Sequence, residues 1–245
     1  MGLQFAVDSW AAIAPGLSTP EQWQQWFRTP QPLARDFTPE LTWMPATLRR
    51  RVSPLGRAAL DVLARCQPDG ACPAIFASRY GDLDAIAGLL EQLYKEATVS
   101  PMGFSLSVHN AALGVYSIAR GDRVTTTSIA ANADLAEAAC FEALGWLAAG
   151  ESQVLVVCCA DPVPAPYQAT DGAESFRHAW AARLRVVDAG GFSLGAATPA
   201  NAPDAARAEF TAIACASLRA LAFLTGAGGA ELHSETGRYL WTRRV

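Results

Sequence analysis

The run Ser128-Ile129-Ala130-Ala131-Asn132-Ala133-Asp134 frames a position for a reactive side chain and fills it with a methyl group. A Thr-rich strand over 124–129 feeds a turn of small residues, and an Ala-rich helix starts at Asp134. Such a strand–turn–helix bend holds a nucleophile at a helix N-terminus, where the positive end of the dipole favours a thiolate. Ala133 stands at the bend and has no atom that can attack a carbonyl. The catalytic position is therefore expected to be empty, with Asn132 and Asp134 as its neighbours. Asn132 reads as the helix N-cap and Asp134 as a first-turn acid that suits the dipole. A one-residue slip in register would instead put the Asn132 amide at the bend.

Other residue types with chemical potential are scattered. His109 beside Asn110 reads as a structural histidine buried in a helix, whereas His178 and His233 read as surface residues. Cys140 falls mid-helix and Cys158-Cys159 in an apolar strand run, both settings for buried free thiols. Asp161 ends that strand and reads as a ligand for loop backbone rather than a catalytic carboxylate. Were another nucleophile in use, Cys158 or Ser128 would be the candidate. The six cysteines show no CxxC spacing, so neither a metal nor a cofactor is expected.

The elements that must position these residues follow from periodicity. Residues 3–13 read as a strand, and the Trp-, Pro- and Gln-rich stretch to about 47 as an irregular cover. Leu55, Ala58, Leu60, Val62 and Leu63 give an apolar helical stripe within 49–66, and 73–78 is a buried strand. Asp82 caps a helix through Tyr94, whose Leu83, Ile86, Leu89, Leu90 and Leu93 recur at helical spacing. A further helical stretch opens at Ser100-Pro101 and stops at Arg120-Gly121. After the bend, a helix runs to about 149 and a continuous apolar strand covers 153–159. The segment 162–182 reads as loop, 183–198 as a hairpin around Gly190-Gly191, 204–224 as a helix and 238–243 as a last strand. This alternation predicts one α/β layered domain over 1–245 with a largely parallel sheet.

Composition narrows the functional classes. With 245 residues and 51% apolar content the chain can bury an ample core, and its net charge of −4 argues against a nucleic-acid partner. Arg49-Arg50-Arg51 is the one dense basic run and reads as solvated. No run reaches the roughly 18 apolar residues of a membrane span. The N-terminal residues carry neither a signal-peptide nor a myristoylation pattern, and the unpaired cysteines suit a reducing cytoplasm.

Taken together, Ser100-Pro101-Met102-Gly103-Phe104-Ser105, His109-Asn110, Gly114, Gly121 and Ser128-Ile129-Ala130 resemble the N-terminal half of β-ketoacyl synthases. The spacing from Ser100 to Ala133, and the downstream helix ending at Gly150, agree with that family, most closely over 73–161. The resemblance implies a thiolase-like layered α-β-α fold, its N-terminal half complete and its second repeat truncated. It also implies that Ala133 replaces the family's nucleophilic cysteine. The family's catalytic histidine pair lies in the second repeat, and neither His178 nor His233 has that setting. A ketosynthase-like chain without its cysteine is similar to the chain length factors of type II polyketide and aryl polyene systems. These pair with an active ketosynthase acting on polyketide chains bound to acyl carrier protein. By that resemblance Met102, Gly103 and Phe104 would reach the neighbour's acyl tunnel. Asn110, Thr126 and Ser128 would lie at the subunit interface, the 124–129 strand pairing with its counterpart across a pseudo-twofold. The Arg49–Arg51 cluster could contact the acidic carrier.

Overall fold

Eight strands form one sheet in the order β3-β2-β4-β5-β1-β6-β8-β7 in the computed structural model, which describes residues 4–67, 71–164, 167, 176–197, 210 and 212–244. The strands are β1 (Gln4–Ile13), β2 (Ala74–Ala77), β3 (Thr126–Ile129), β4 (Val154–Ala160), β5 (His178–Val186), β6 (Gly191–Ala196), β7 (Glu231–His233) and β8 (Tyr239–Arg244). The helices are α1 (Pro20–Arg28), α2 (Ala46–Arg49), α3 (Pro54–Cys66), α4 (Leu83–Glu96), α5 (Pro101–Ser107), α6 (Ala111–Arg120), α7 (Leu135–Ala148) and α8 (Ala216–Leu224).

Side-chain alternation along the central strands divides the interior into two cores. On β4 and β5, Val154, Val156, Cys158, Trp180, Ala182 and Leu184 point into one core. Leu155, Val157, Cys159, Ala179 and Ala181 point into the other. The first core is closed by α1, α7 and α8, the second by α3 and α6. The result is the expected α-β-α layering, with the sheet buried on both faces.

The sheet is not largely parallel. Only β3, β2 and β4 run parallel, and β4–β5, β5–β1, β1–β6, β6–β8 and β8–β7 are antiparallel. A continuous apolar run such as 154–159 reports burial on both faces, and that burial arises here in a mixed sheet. Nor do residues 183–198 form a hairpin. The first strand of the chain lies between β5 and β6, with Phe5 opposite Val186 on one side and Phe192 on the other. Gly191 marks that insertion: its φ is +74°, and a Cβ there would come within 2.4 Å of the Phe5 carbonyl oxygen.

Local signals decide several boundaries. Thr19 and Gln22 form a capping box that starts α1, so part of the expected irregular cover is a helix burying Trp23, Trp26 and Phe27. Helix α3 starts at Pro54 rather than 49, because the Ser53 hydroxyl accepts from the Gly56 amide at 3.1 Å. The stretch from 101 to 120 breaks into α5 and α6 at Val108–Asn110. Strand β5 begins at His178, inside the segment expected to be loop. Of the helix expected over 204–224, residues 204–209 and 211 lie outside the described residues. Phe210 has φ +63°, 212–215 are not helical, and the helix begins at Ala216.

Candidate functional site

Strand β3 and helix α7 form the two arms of the bend, joined by Ala130–Ala133. Ala133 is half-buried and lines a cavity of about 260 Å³ together with Arg79, Asn132, Cys215, Ser217 and Glu235. Asn132 does not cap the helix, which starts one residue later than expected, at Leu135. Asp134 occupies the N-cap position without making a capping hydrogen bond. Its carboxylate instead accepts from the amide (3.1 Å) and the hydroxyl of Thr236, tying the start of α7 to the β7–β8 turn. One turn along, buried Glu137 accepts from the Trp241 indole N–H at 2.8 Å. Burial raises the Glu137 carboxyl above its ordinary value of 4.5, against the pull of that hydrogen bond.

The remaining sequence candidates do not converge on Ala133. Cys140, Cys158 and Cys159 are fully enclosed, and burial drives their thiols upward, furthest from reactivity for the β4 pair. His109 lies in the α5–α6 junction rather than within a helix. The Gly81 amide donates to the Ser78 hydroxyl (2.9 Å), whose oxygen is also hydrogen-bonded to His109 Nε2 (2.7 Å); burial lowers the imidazole's proton affinity. Asp161 binds the Arg177 guanidinium rather than loop backbone, through two contacts, one of them 3.4 Å. Its carboxyl is raised by burial in spite of that cation. Arg177 also donates to the Phe37 carbonyl at 2.6 Å, pinning the 30–40 segment to the sheet end.

Two histidines expected at the surface are buried. His233 lies on β7, and neither ring nitrogen has a hydrogen-bond partner among the described residues. His178 is fully buried at the start of β5, where Nδ1 lies 3.2 Å from the Phe176 carbonyl and Nε2 3.5 Å from Cys215 Sγ. Sequence reasoning missed this pairing, because β5 and α8 meet only through the fold; the small residues around Cys215 gave no periodic signal.

The segment 83–129 presents a second feature. Helix α4 has the predicted apolar stripe, yet none of its residues is buried within this chain. Leu90, Leu93, Tyr94, Met102, Phe104 and Ile118 on α4–α6 are exposed, Phe104 by 60% and Met102 by 61%. Gly103 sits where α5 meets α4: a Cβ there would lie 3.3 Å from Leu89 Cδ2. Asn110 is exposed at the start of α6. Strand β3 follows and is an edge of the sheet, paired with β2 alone. On it Thr126 is exposed, while the Ser128 hydroxyl is buried without a hydrogen-bond partner among the described residues. Arg50 and Arg51 are exposed, and Arg49 reaches back to the Leu41 carbonyl at 3.4 Å.

With the layered fold and the strand–turn–helix bend in place, comparison with known proteins assigns the class. Residues 23–242 match the β-ketoacyl synthase N-terminal domain, and the chain belongs to that family. Among solved structures it is similar to a chain in the complex of the ketosynthase ApeO with its chain length factor ApeC from Xenorhabdus doucetiae. That match has 26% identity and a TM-score of 0.75, over 98% of this chain and 100% of that one. The ishigamide ketosynthase/chain length factor shares the fold at 13% identity, with a TM-score of 0.66 and 99% of each chain covered. So does the type II polyketide complex AntDE:AntF, at 12% identity and TM-score 0.66 over the whole of both chains. Comparison with curated proteins finds no match. Among the described residues no helix is long and apolar enough to cross a membrane.

Proposed function

We propose that this chain is a non-condensing chain length factor, pairing in the cytoplasm with an active β-ketoacyl synthase in polyketide or aryl polyene assembly. The observation that carries the reading is the uncovered apolar surface of α4–α6, continuous in sequence with the unpaired edge of β3. Covering a large apolar side chain contributes roughly 1.5–3 kcal/mol, and an exposed patch with an open strand edge is a liability in a lone subunit. A partner of the same fold, laid antiparallel along β3 about a pseudo-twofold, would cover both. The likeness to a ketosynthase–chain length factor complex along the full length of both chains supports this partner.

The mechanism is steric. Condensation needs a thiolate to hold the acyl chain and donors for the developing oxyanion. Ala133 has no thiol, so the partner holds the growing chain, delivered on acyl carrier protein. Met102 and Phe104 project from α5 and would form a wall or floor of the tunnel into which that chain extends. The rival reading, an independent acyltransferase using Cys158 or Ser128, fares worse. Cys158 has no exposed surface and a thiol held far up by burial. The test is reconstitution with malonyl and acyl thioesters: the purified chain alone gives no condensation, and the co-expressed pair does. Condensation by this chain alone would overturn the reading.

A further inference from the structure

Helices α4 and α5 have few anchors in this chain: α4 buries no residue and α5 only Ser107. Within 100–112, two side-chain hydrogen bonds stay local to α5, from the Gly103 amide to Ser100 Oγ (3.1 Å) and from the Ser107 hydroxyl to the Phe104 carbonyl (2.9 Å). Among the described residues the third, between His109 Nε2 and Ser78 Oγ at 2.7 Å, is the one that reaches the sheet. Its sheet end is firmly held. Ser78 follows β2 and is 1% exposed, and its backbone amide donates to the Ile129 carbonyl at 3.2 Å. Its hydroxyl accepts from the Gly81 amide, closing a turn in which Gly81 has φ +61°. A Cβ on Gly81 would come within 3.1 Å of His109 Cδ2, so the turn packs directly on the ring. Phe76 meets the same ring edge-on, with centroids 5.4 Å apart. Beside the ring is a cavity of about 30 Å³, room for a single water, walled by Leu55, Phe76, Leu106 and Ala112. Two charged side chains also line it. Arg51, between α2 and α3, disfavours a charge on the ring; Asp82, at the start of α4, favours one while accepting from the Ala85 amide at 3.1 Å. Burial prevails and lowers His109 from its ordinary value of 6.5.

We propose that His109 is the positioning residue of the α5–α6 junction, and that a proton on its ring frees the junction from β2 and withdraws the face offered to a ketosynthase. Neutral, Nε2 either accepts from the Ser78 hydroxyl or donates to it; charged, it can only donate, and the charge is held away from water. A ring that binds its proton less well docked than free favours the docked junction above pH 6.5. That preference is lost as pH falls through the lowered value. A partner that binds only the docked form then binds more weakly, by the fraction of chains still docked. Met102 and Phe104 lie on the helix so tethered, and the same contact sets the proposed tunnel wall. The effect on pairing rests on the function proposed above, whereas the tether is a property of the isolated chain.

Amide hydrogen exchange of the full chain at pH 7.5 and pH 5.0, corrected for intrinsic rates, reads the tether directly. Relative to α7, the amides of α5 and α6 are expected to exchange about tenfold faster at the lower pH, the effect of one proton over one pH unit. His109→Gln keeps an amide for Ser78 and does not titrate, so it removes that pH dependence. Should this variant not fold, Ser78→Ala cuts the same hydrogen bond from the other side and speeds α5–α6 exchange already at pH 7.5. The dissociation constant of the pair with a co-expressed ketosynthase is measured at both pH values. At pH 5.0 the unaltered chain is expected to bind about tenfold more weakly than His109→Gln, with no difference at pH 7.5. Exchange in α5–α6 that tracks α7 at both pH values, or the same pH dependence in the unaltered chain and His109→Gln, overturns the proposal. A ketosynthase that binds at neither pH counts against the proposed function, and exchange alone then decides the tether.

Discussion

Glu137 shows how a single side chain couples the bend to the far edge of the sheet. Its carboxyl is buried against Trp241 and raised above 4.5. A group that holds its proton more tightly folded than unfolded favours folding most at low pH, and that contribution is lost as pH rises past 4.5 toward the raised value. Glu137→Gln keeps an acceptor for the indole and removes the titration. It is therefore expected to melt above the parent at pH 7, the gap closing near pH 4, as thermal unfolding across that range would read. Asp161 and Arg177 form a buried ion pair, their side chains 10% and 7% exposed. Asp161→Asn leaves the buried Arg177 guanidinium with only the longer, exposed ion-pair contact to Asp36 at 3.7 Å, and should cost about 3 kcal/mol in urea unfolding. Neither effect was legible in the sequence. Asp82 could be read as a cap, because capping is local, and its carboxylate does accept from the Ala85 amide at 3.1 Å. Asp161 meets Arg177 and His178 meets Cys215 only through the fold, and polar neighbours such as those in Phe176-Arg177-His178 say nothing about burial.

Among the elements, α4 to α6 and β3 carry the functional argument. The α4 stripe was legible as amphipathic periodicity, but periodicity cannot say whether the apolar face meets this chain or another. Leu93→Glu with Ile118→Glu should abolish co-purification of a ketosynthase while leaving the melting temperature of the isolated chain unchanged, since both positions are already solvated. Phe104→Ala, in the assembled pair, should lengthen the product by opening the tunnel, read as a shift in the masses of released chains. Unchanged product length would remove Phe104 from the gate. The bend was legible because strand, small-residue turn and helix are contiguous. The supposed hairpin at Gly190-Gly191 was misread, since the strand that separates its two arms comes from the opposite end of the sequence. Non-local pairing leaves no trace in a window of a dozen residues.

On the scale of the molecule, the chain combines a complete two-sided core with one apolar region that no described part of it covers. Its interior needs no further subunit: both sheet faces are closed by helices, and Trp23, Trp180 and Trp241 are fully buried. What is missing is a thiol at the bend and a neighbour for β3, and one companion of the same fold would supply both. Native mass of the chain co-expressed with a ketosynthase from its own gene neighbourhood tests that claim most directly. The account predicts a one-to-one complex containing a single copy of the 25.9 kDa chain. Recovery of this chain as a homodimer or monomer, with the ketosynthase separate and active, would contradict it.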